Sequence, residues 1–533
     1  MKRVVIPSGR DAMFLHGVPE AATAILASDF IHKAKPKVVI LLTESIPKAE
    51  EWAEDVAAFL ESAKPDSRIR LHLFDEPPST EHPDAFDRIC DRLAVLSALG
   101  ELSNKERASS ESSILLLAAT PESILAPCPS VESHEKNELI VRQGEKLSFQ
   151  SFIEELAERF DYSSEILCEA PAQFAVRGGL IDVYPVNGEF PVRIDFFGDE
   201  IEDLRRFDPN TQRTIESVDS VTLASAGSTE DREVEGAFFG HLKCPVTWIL
   251  REPEDLLARS PLIFHYSEKR KSAPKCFIDA LERKAAKKDK FLGMAEIDSG
   301  RGIFDNAPCH EEKVETLENL RHENSLDELG LERFESERSG RKAYLQGLLL
   351  RAREGFSVQI AAGVDSEKRR ITETIEEEKE LRDLQVTFLQ MGLREGFAIV
   401  LPPGEKFLGR KIAPREKGLL VATAREILGR ERSRRPGRSK RMVAQRPQVD
   451  QALDFAELVE GDFLVHLQHG VCQYKCIQRI KDEGREEEAV TVEFADGILL
   501  HVPVPESHLL SRYVGLVKSR PKLAKLGGKS WFK

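Results

Sequence analysis

The sequence predicts a multidomain α/β protein. An α/β domain is interrupted by a small inserted α+β domain, and is followed by a second α/β domain and a small C-terminal β-barrel. Three observations predict this. Short apolar runs alternate with amphipathic helical stretches from Met1 to about Ser130, as in a parallel sheet covered by helices. That texture stops near Gly144 and returns from Gly236 to about Ala307, which places a separate domain inside a discontinuous fold. From about Leu458 the chain becomes a series of short strands split by Glu-Gly-Asp, His-Gly and Asp-Gly. At 533 residues the chain is too long for one core.

Taken in order, residues 1–132 hold the buried-strand run VVILLTE (Val38–Glu44), the helical KAEEWAEDVAAFLES, a strand RLHLFD, a helix around FDRICDRLAVLSAL and a second buried run SILLLAA (Ser113–Ala119). Residues 133–223 open with a helix, FQSFIEELAERF, and continue as strands and tight turns. Residues 224–320 resume the first domain, with VTWIL and PLIFHY as strands. Residues 321–424 supply the second α/β domain, with strands FSVQIAA and AIVLPP. The charged EEKVETLENLRHENSLDELGLERFESERSGR leading into it reads as a solvated helix or linker. Residues 425–452 form a basic linker, and 453–533 the barrel.

Hydrophobic residues at 41%, charged residues at 31% and a net charge of −15 describe an ordinary acidic globular chain, so any nucleic-acid contact must be local. No run reaches the roughly eighteen apolar residues of a membrane span. Cys90, Cys128, Cys168, Cys244, Cys276, Cys309, Cys472 and Cys476 are mostly isolated, as expected of reduced thiols in a cytoplasmic protein.

The most informative segment is APAQFAVRGGLIDVYPVNGEFPVRIDFFGDEIEDLRRFDPNTQRT, Ala170–Thr214. A two-residue turn at Asn187-Gly188 pairs Val183 with Val192, Ile181 with Ile194 and Asp182 with Arg193. Val192, Ile194 and Phe196 then share the apolar face, while Arg193, Asp195 and Phe197 point the other way. Phe174 and Val176 have the opposite parity to Ile181 and Val183, so a β-bulge is expected at Gly178-Gly179. With that bulge Arg177 joins Arg193 and Phe197. Two arginines and a phenylalanine displayed together have the composition of a binding hot spot. On pattern alone they could equally be covered, with the arginines paired to Asp182 and Asp195.

FAVRGGLIDVYP and PVRIDFFGDEIEDLRRFDPNTQRT are similar to the segment shared by UvrB and the Mfd family of transcription-repair coupling factors, which docks on UvrA. The resemblance implies that Arg177, Arg193 and Phe197 contact UvrA. It also implies a degenerate UvrB-like module of P-loop type in the first domain. Where UvrB has its P-loop, this sequence reads FLHGVPEAATAILASDF, with Gly17 but no Gly-Lys-Ser/Thr, with Pro19 removing a donor and Glu20 adding a negative charge. Gly528-Lys529-Ser530 is a decoy, since Leu523 stands where a P-loop glycine belongs. ATP binding is therefore not expected, and ATP and magnesium would serve only a motor that this chain does not contain.

LVEGDFLVHLQHGVCQYKCIQRI with AVTVEFADGILLHVPVPESHLLSRYVG resembles the RNA-polymerase-interacting domain shared by Mfd and CarD-type regulators, a Tudor/SH3-like barrel. The resemblance implies a strand edge offered to the polymerase β subunit, with Ile480 as the apolar contact and Arg479 beside it. Ile480 could equally be a core residue. His466, His469, Cys472 and Cys476 have the residue types of a zinc set, but residues so placed on strands rarely converge, and no metal site is expected. The basic stretch 425–446 could touch double-stranded DNA weakly and without sequence preference. Together these readings describe a non-catalytic adaptor of transcription-coupled nucleotide excision repair. A UvrB-like helicase and a CarD-like regulator are the alternatives.

Overall fold

The computed structural model describes residues 11–65, 68–77, 85–103, 113–226, 237–258, 288–298, 301–317, 320, 331–429, 460–466, 469–482, 485–503, 510–512 and 523–524. They fall into two compact units, one holding the α/β domains and the insertion, the other the C-terminal sheet.

The first sheet has seven strands, in the order Cys309–Glu311, Ala12–His16, Lys290–Met294, Val246–Arg251, Val38–Leu42, Ser113–Ala119, Arg68–Phe74, and every neighbouring pair is parallel. Its strands come from both sides of the insertion. The pleat sorts the side chains. Val39 and Leu41 enter the core beneath the helices Glu20–Ala34 and Ile46–Ala63, whereas Val38, Ile40 and Leu42 join Val95, Leu96 and Leu99 of the helix Ala85–Ser103. Burial on both faces explains why the central strands read as continuous apolar runs. PLIFHY lies outside the described residues.

The insertion is entered and left by an antiparallel ribbon, Glu138–Arg142 with Ser220–Ala224. Its six-stranded sheet runs Thr214–Ser217, Glu200–Phe207, Val192–Phe197, Leu180–Val183, Gln173–Arg177, Ser163–Ser164. Phe152, Leu156 and Phe160 lie with Ile181, Val183, Val192, Ile194 and Phe196 in one core, which also takes in Cys90 and Leu93 of the first domain. Ile194 is fully buried there, so Ile194→Ala should cost about 2–5 kcal/mol in a urea melt. A wild-type midpoint would place Ile194 outside the core.

The second α/β sheet is mixed, in the order Val314–Thr316, Phe397–Val400, Gly418–Thr423, Phe356–Ala362, Val386–Gln390. Leu345 and Leu348 of the helix Leu331–Arg353 and Ile371 of Asp365–Glu377 cover one face. The other face supplies Phe397, Ile399, Leu419 and Val421 to the first domain's core. Asp29 accepts from the Leu408 amide at 2.8 Å, and Arg394 pairs with Glu51 across the same junction. The expected charged linker is partly wrong. Glu311 ends a strand of the first sheet, and Val314–Thr316 pairs with the second, because Val314 finds an antiparallel partner in Ile399. Long-range pairing overrides the local charge pattern.

The C-terminal unit is an antiparallel sheet in the order Leu499–Pro503, Arg485–Glu493, Gly470–Asp482, Phe463–His466, Leu510–Arg512. Leu464, Cys472, Val490, Val492 and Phe494 form its core. Ala524 adds a tie, donating to the Val471 carbonyl and accepting from the Ala495 amide.

Candidate docking site

Gly178 and Gly179 are not a bulge. Arg177 pairs with Leu180, so the two glycines are the turn of a hairpin, and Gly178 has φ of 63°. A two-residue turn reverses parity as the expected bulge would, and Arg177 still lands on the face of Leu180, Asp195 and Phe197. The neighbouring register is as expected, with Ile181 opposite Ile194, Asp182 opposite Arg193 and Val183 opposite Val192. The turn that closes it differs. It spans Pro185–Gly188, with the Gly188 amide on the Pro185 carbonyl, because Asn187 is engaged elsewhere. The Asn187 amide group donates to Ser97 Oγ at 3.1 Å and accepts from the Ala224 amide at 3.2 Å, fastening the insertion to its host.

The three singled-out residues share a face but not an environment. Phe197 is 80% exposed. Arg177 is exposed, and its Nη2 donates to the Ile166 carbonyl at 3.4 Å. Arg193 forms a two-pronged pair with Asp182, Nε to Oδ1 at 2.7 Å and Nη2 to Oδ2 at 2.9 Å, and lies 4.6 Å over the Phe207 ring. Its side chain is 19% exposed and Asp182 only 2%. The hydrogen bond to Asp182 raises the Arg193 pKa against a smaller opposing effect of burial. Behind the pair, Cys168, Ala175, Tyr184 and Phe207 form a small second core, where burial, with Asp182 adding to it, pushes the Cys168 thiol far above its usual range. Asp195 is paired with Arg205 at 3.3 Å rather than with either arginine named above.

Ile166 was not anticipated. It is 90% exposed, Leu167 beside it is also exposed, and the Ile166 carbonyl accepts from Arg177. The available signal was an Ile-Leu pair between glutamates with no alternating partner strand.

In the first domain the loop after Ala12–His16 is closed upon the protein. The Gly17 and Val18 amides donate to the carbonyls of Glu296 and Ala295, both at 3.2 Å. Gly17 has φ of 73°, and a Cβ there would meet the Glu312 carbonyl oxygen at 2.8 Å. Glu20, in the first turn of the next helix, takes Arg251 Nη1 at 3.0 Å, and Glu44 takes Nη2 at 3.4 Å. Burial opposes ionisation of Glu44, yet hydrogen bonds from Lys48 and Thr43 and the charge of Arg251 bring its pKa down to about 2. The charge at this helix start is thus balanced by the protein's own cation.

In the C-terminal unit Arg479 stands opposite Glu488 and Ile480 opposite Glu487, while their side chains lie outside the described residues. The Gly470–Asp482 strand pairs with Phe463–His466 only as far as Gln473. From Cys476 to Asp482 its ladder partner among the described residues is Arg485–Ala489 and Val490–Thr491, leaving one edge without a strand. Buried Cys472 donates to the Leu464 carbonyl, His466 stacks on His469 with centroids 4.6 Å apart, and Cys476 is exposed. These four side chains do not gather into a ligand set. Residues 430–459, which include most of the basic stretch, lie outside the described residues.

Two family models match. Residues 139–228 match the UvrB interaction domain, and residues 458–514 match the CarD-like/TRCF RID domain. The chain is similar to the N-terminal portion of transcription-repair-coupling factors. The Bacillus subtilis (strain 168) protein of that name is 22% identical over 98% of this chain and 47% of its own length. The Haemophilus influenzae protein is 27% identical over 82% of this chain and 40% of its own, and that of Staphylococcus aureus (strain NCTC 8325 / PS 47) 21% over 97% and 46%. The chain thus spans about half the length of the curated relatives it matches.

Proposed function

We propose that this chain serves transcription-coupled nucleotide excision repair as an adaptor. It recruits UvrA through the insertion and RNA polymerase, at its β subunit, through the C-terminal sheet, taken as the Tudor/SH3-like barrel. The observation that carries the reading is the exposed pair Arg177 and Phe197 on one face of the UvrB interaction domain, backed by a core on the opposite face. A pull-down of purified UvrA by the chain tests it. Binding that is lost on Arg177→Ala, with unchanged melting, supports the reading, and binding unaffected by that change overturns it.

For the polymerase contact, the edge beside Ile480, which has no strand partner among the described residues, suits strand addition by a partner. Ile480→Arg should weaken polymerase binding and leave UvrA binding intact, since an arginine forced into an apolar contact loses its hydration. A variant that unfolds instead would make Ile480 a core residue. Contact of 425–446 with DNA phosphates, weakened steeply by salt, belongs to the same proposal, as does a cytoplasmic location.

The adaptor performs no chemistry within this chain. The Gly17 and Val18 amides already have carbonyl partners, and the Glu20 carboxylate, paired with Arg251, already occupies the positive start of the next helix. Isothermal titration should therefore register no ATP binding at micromolar concentrations. Saturable binding there would refute the non-catalytic reading.

A further inference from the structure

We propose that His16, Asp298 and Cys309 form a site for one transition-metal ion of borderline softness, with zinc the best match. They come from three neighbouring places in the first sheet. His16 ends the Ala12–His16 strand, Cys309 begins the strand paired on one side of it, and Asp298 follows Lys290–Met294 on the other side. Their ligand atoms all lie within 4.8 Å of one another. Ligand atoms around tetrahedral zinc sit roughly 3.5 Å apart, so small rotations of three side chains suffice. Among the described residues no other three such side chains come as close.

The mixture of imidazole, thiolate and carboxylate selects the ion. Calcium and magnesium take oxygen ligands, whereas one sulfur with one nitrogen and one oxygen suits zinc or cobalt. Asp298 is gripped by Arg301, Nη2 to Oδ2 at 3.0 Å and Nε to Oδ1 at 3.3 Å. That pair leaves a lone pair on each oxygen and fixes the carboxylate plane, as outer partners of metal ligands do. The fourth position would fall to water or to Glu311, which stands beside His16 in the strand register. The open end of a parallel sheet is where such folds commonly hold ligands, and here the loop amides beside it are already engaged.

The test uses the whole chain, stripped with a chelator and titrated with Co2+ and then Zn2+. One Co2+ per chain with a sulfur-to-cobalt charge-transfer band is expected. Cys309→Ser should abolish the band, and His16→Ala and Asp298→Asn should each weaken Zn2+ binding at least about tenfold, as should Arg301→Ala through the outer contact. A Cys472→Ser, Cys476→Ser double variant should keep the band. No band, a band that survives Cys309→Ser, or one lost in the double variant overturns the site. Should Cys309→Ser melt early, His16→Ala and Asp298→Asn decide by the same affinity criterion. UvrA binding plays no part in these outcomes, so the adaptor reading stands or falls separately.

Discussion

Arg193→Ala is expected to lower stability by about 3 kcal/mol, measured as a shifted midpoint in urea. Removing the guanidinium strands the Asp182 carboxylate, which is 2% exposed and held by two hydrogen bonds from Arg193. It also uncovers the Phe207 face beneath the cation. Arg193→Lys should recover only part of the loss, since an ammonium cannot reproduce the two-pronged geometry. Replacing both partners, as Arg193→Met with Asp182→Leu, should restore most of it, because no buried charge is then left alone. The sequence pattern left open whether Arg193 is displayed or paired with Asp182, and the resemblance implied a docking role, in which Arg193→Ala would weaken docking without harm to the fold. The depth of Asp182 changes that. An Arg193→Ala midpoint equal to wild type would show that the pair is dispensable and return Arg193 to a pure docking role.

Phe197→Ala should behave in the opposite way. With four-fifths of its surface in solvent, Phe197 contributes little to the folded state, so melting should not move. Binding to UvrA should fall by about 2 kcal/mol or more, roughly thirtyfold. Its neighbour is the control. Phe196 points into the core, with its ring 5.2 Å from that of Phe149, so Phe196→Ala should cost about 3–5 kcal/mol of stability. If Phe197→Ala binds UvrA like wild type in a surface-immobilised assay, the exposed ring is not the anchor of the docking face.

Legibility in the sequence followed the range of the interactions. The period-2 alternation in Val192–Phe197 identified the buried and outward sets, and cross-strand pairing with Ile181 and Val183 came out in the observed register. The interruption of the first sheet was visible because fully buried strands are apolar on both faces. What local pattern cannot carry is the identity of distant partners. Arg251 meets Glu20 across 231 positions, Asn187 reaches Ser97 across 90, and Val314 pairs with Ile399 inside a stretch whose composition reads as a solvated linker. The two glycines at 178–179 illustrate a subtler limit. A tight hairpin and a bulge shift parity alike, so the face of Arg177 could be inferred correctly from the wrong turn.

The Glu20–Arg251–Glu44 cluster has a consequence for how such a module would respond to the cell. Nucleotide-driven proteins change state because ATP and ADP favour different conformations, and a molecule with no preference between two states shifts neither. On the non-catalytic reading proposed above, the Glu20 carboxylate at this helix start, paired with Arg251 beside the engaged Gly17 and Val18 amides, would give the adenylate pool nothing to discriminate. Such a domain would hold the same posture in a starved cell and a growing one, keeping its reach constant while energy-dependent steps occur elsewhere. A steady frame of this kind would suit the adaptor proposed above.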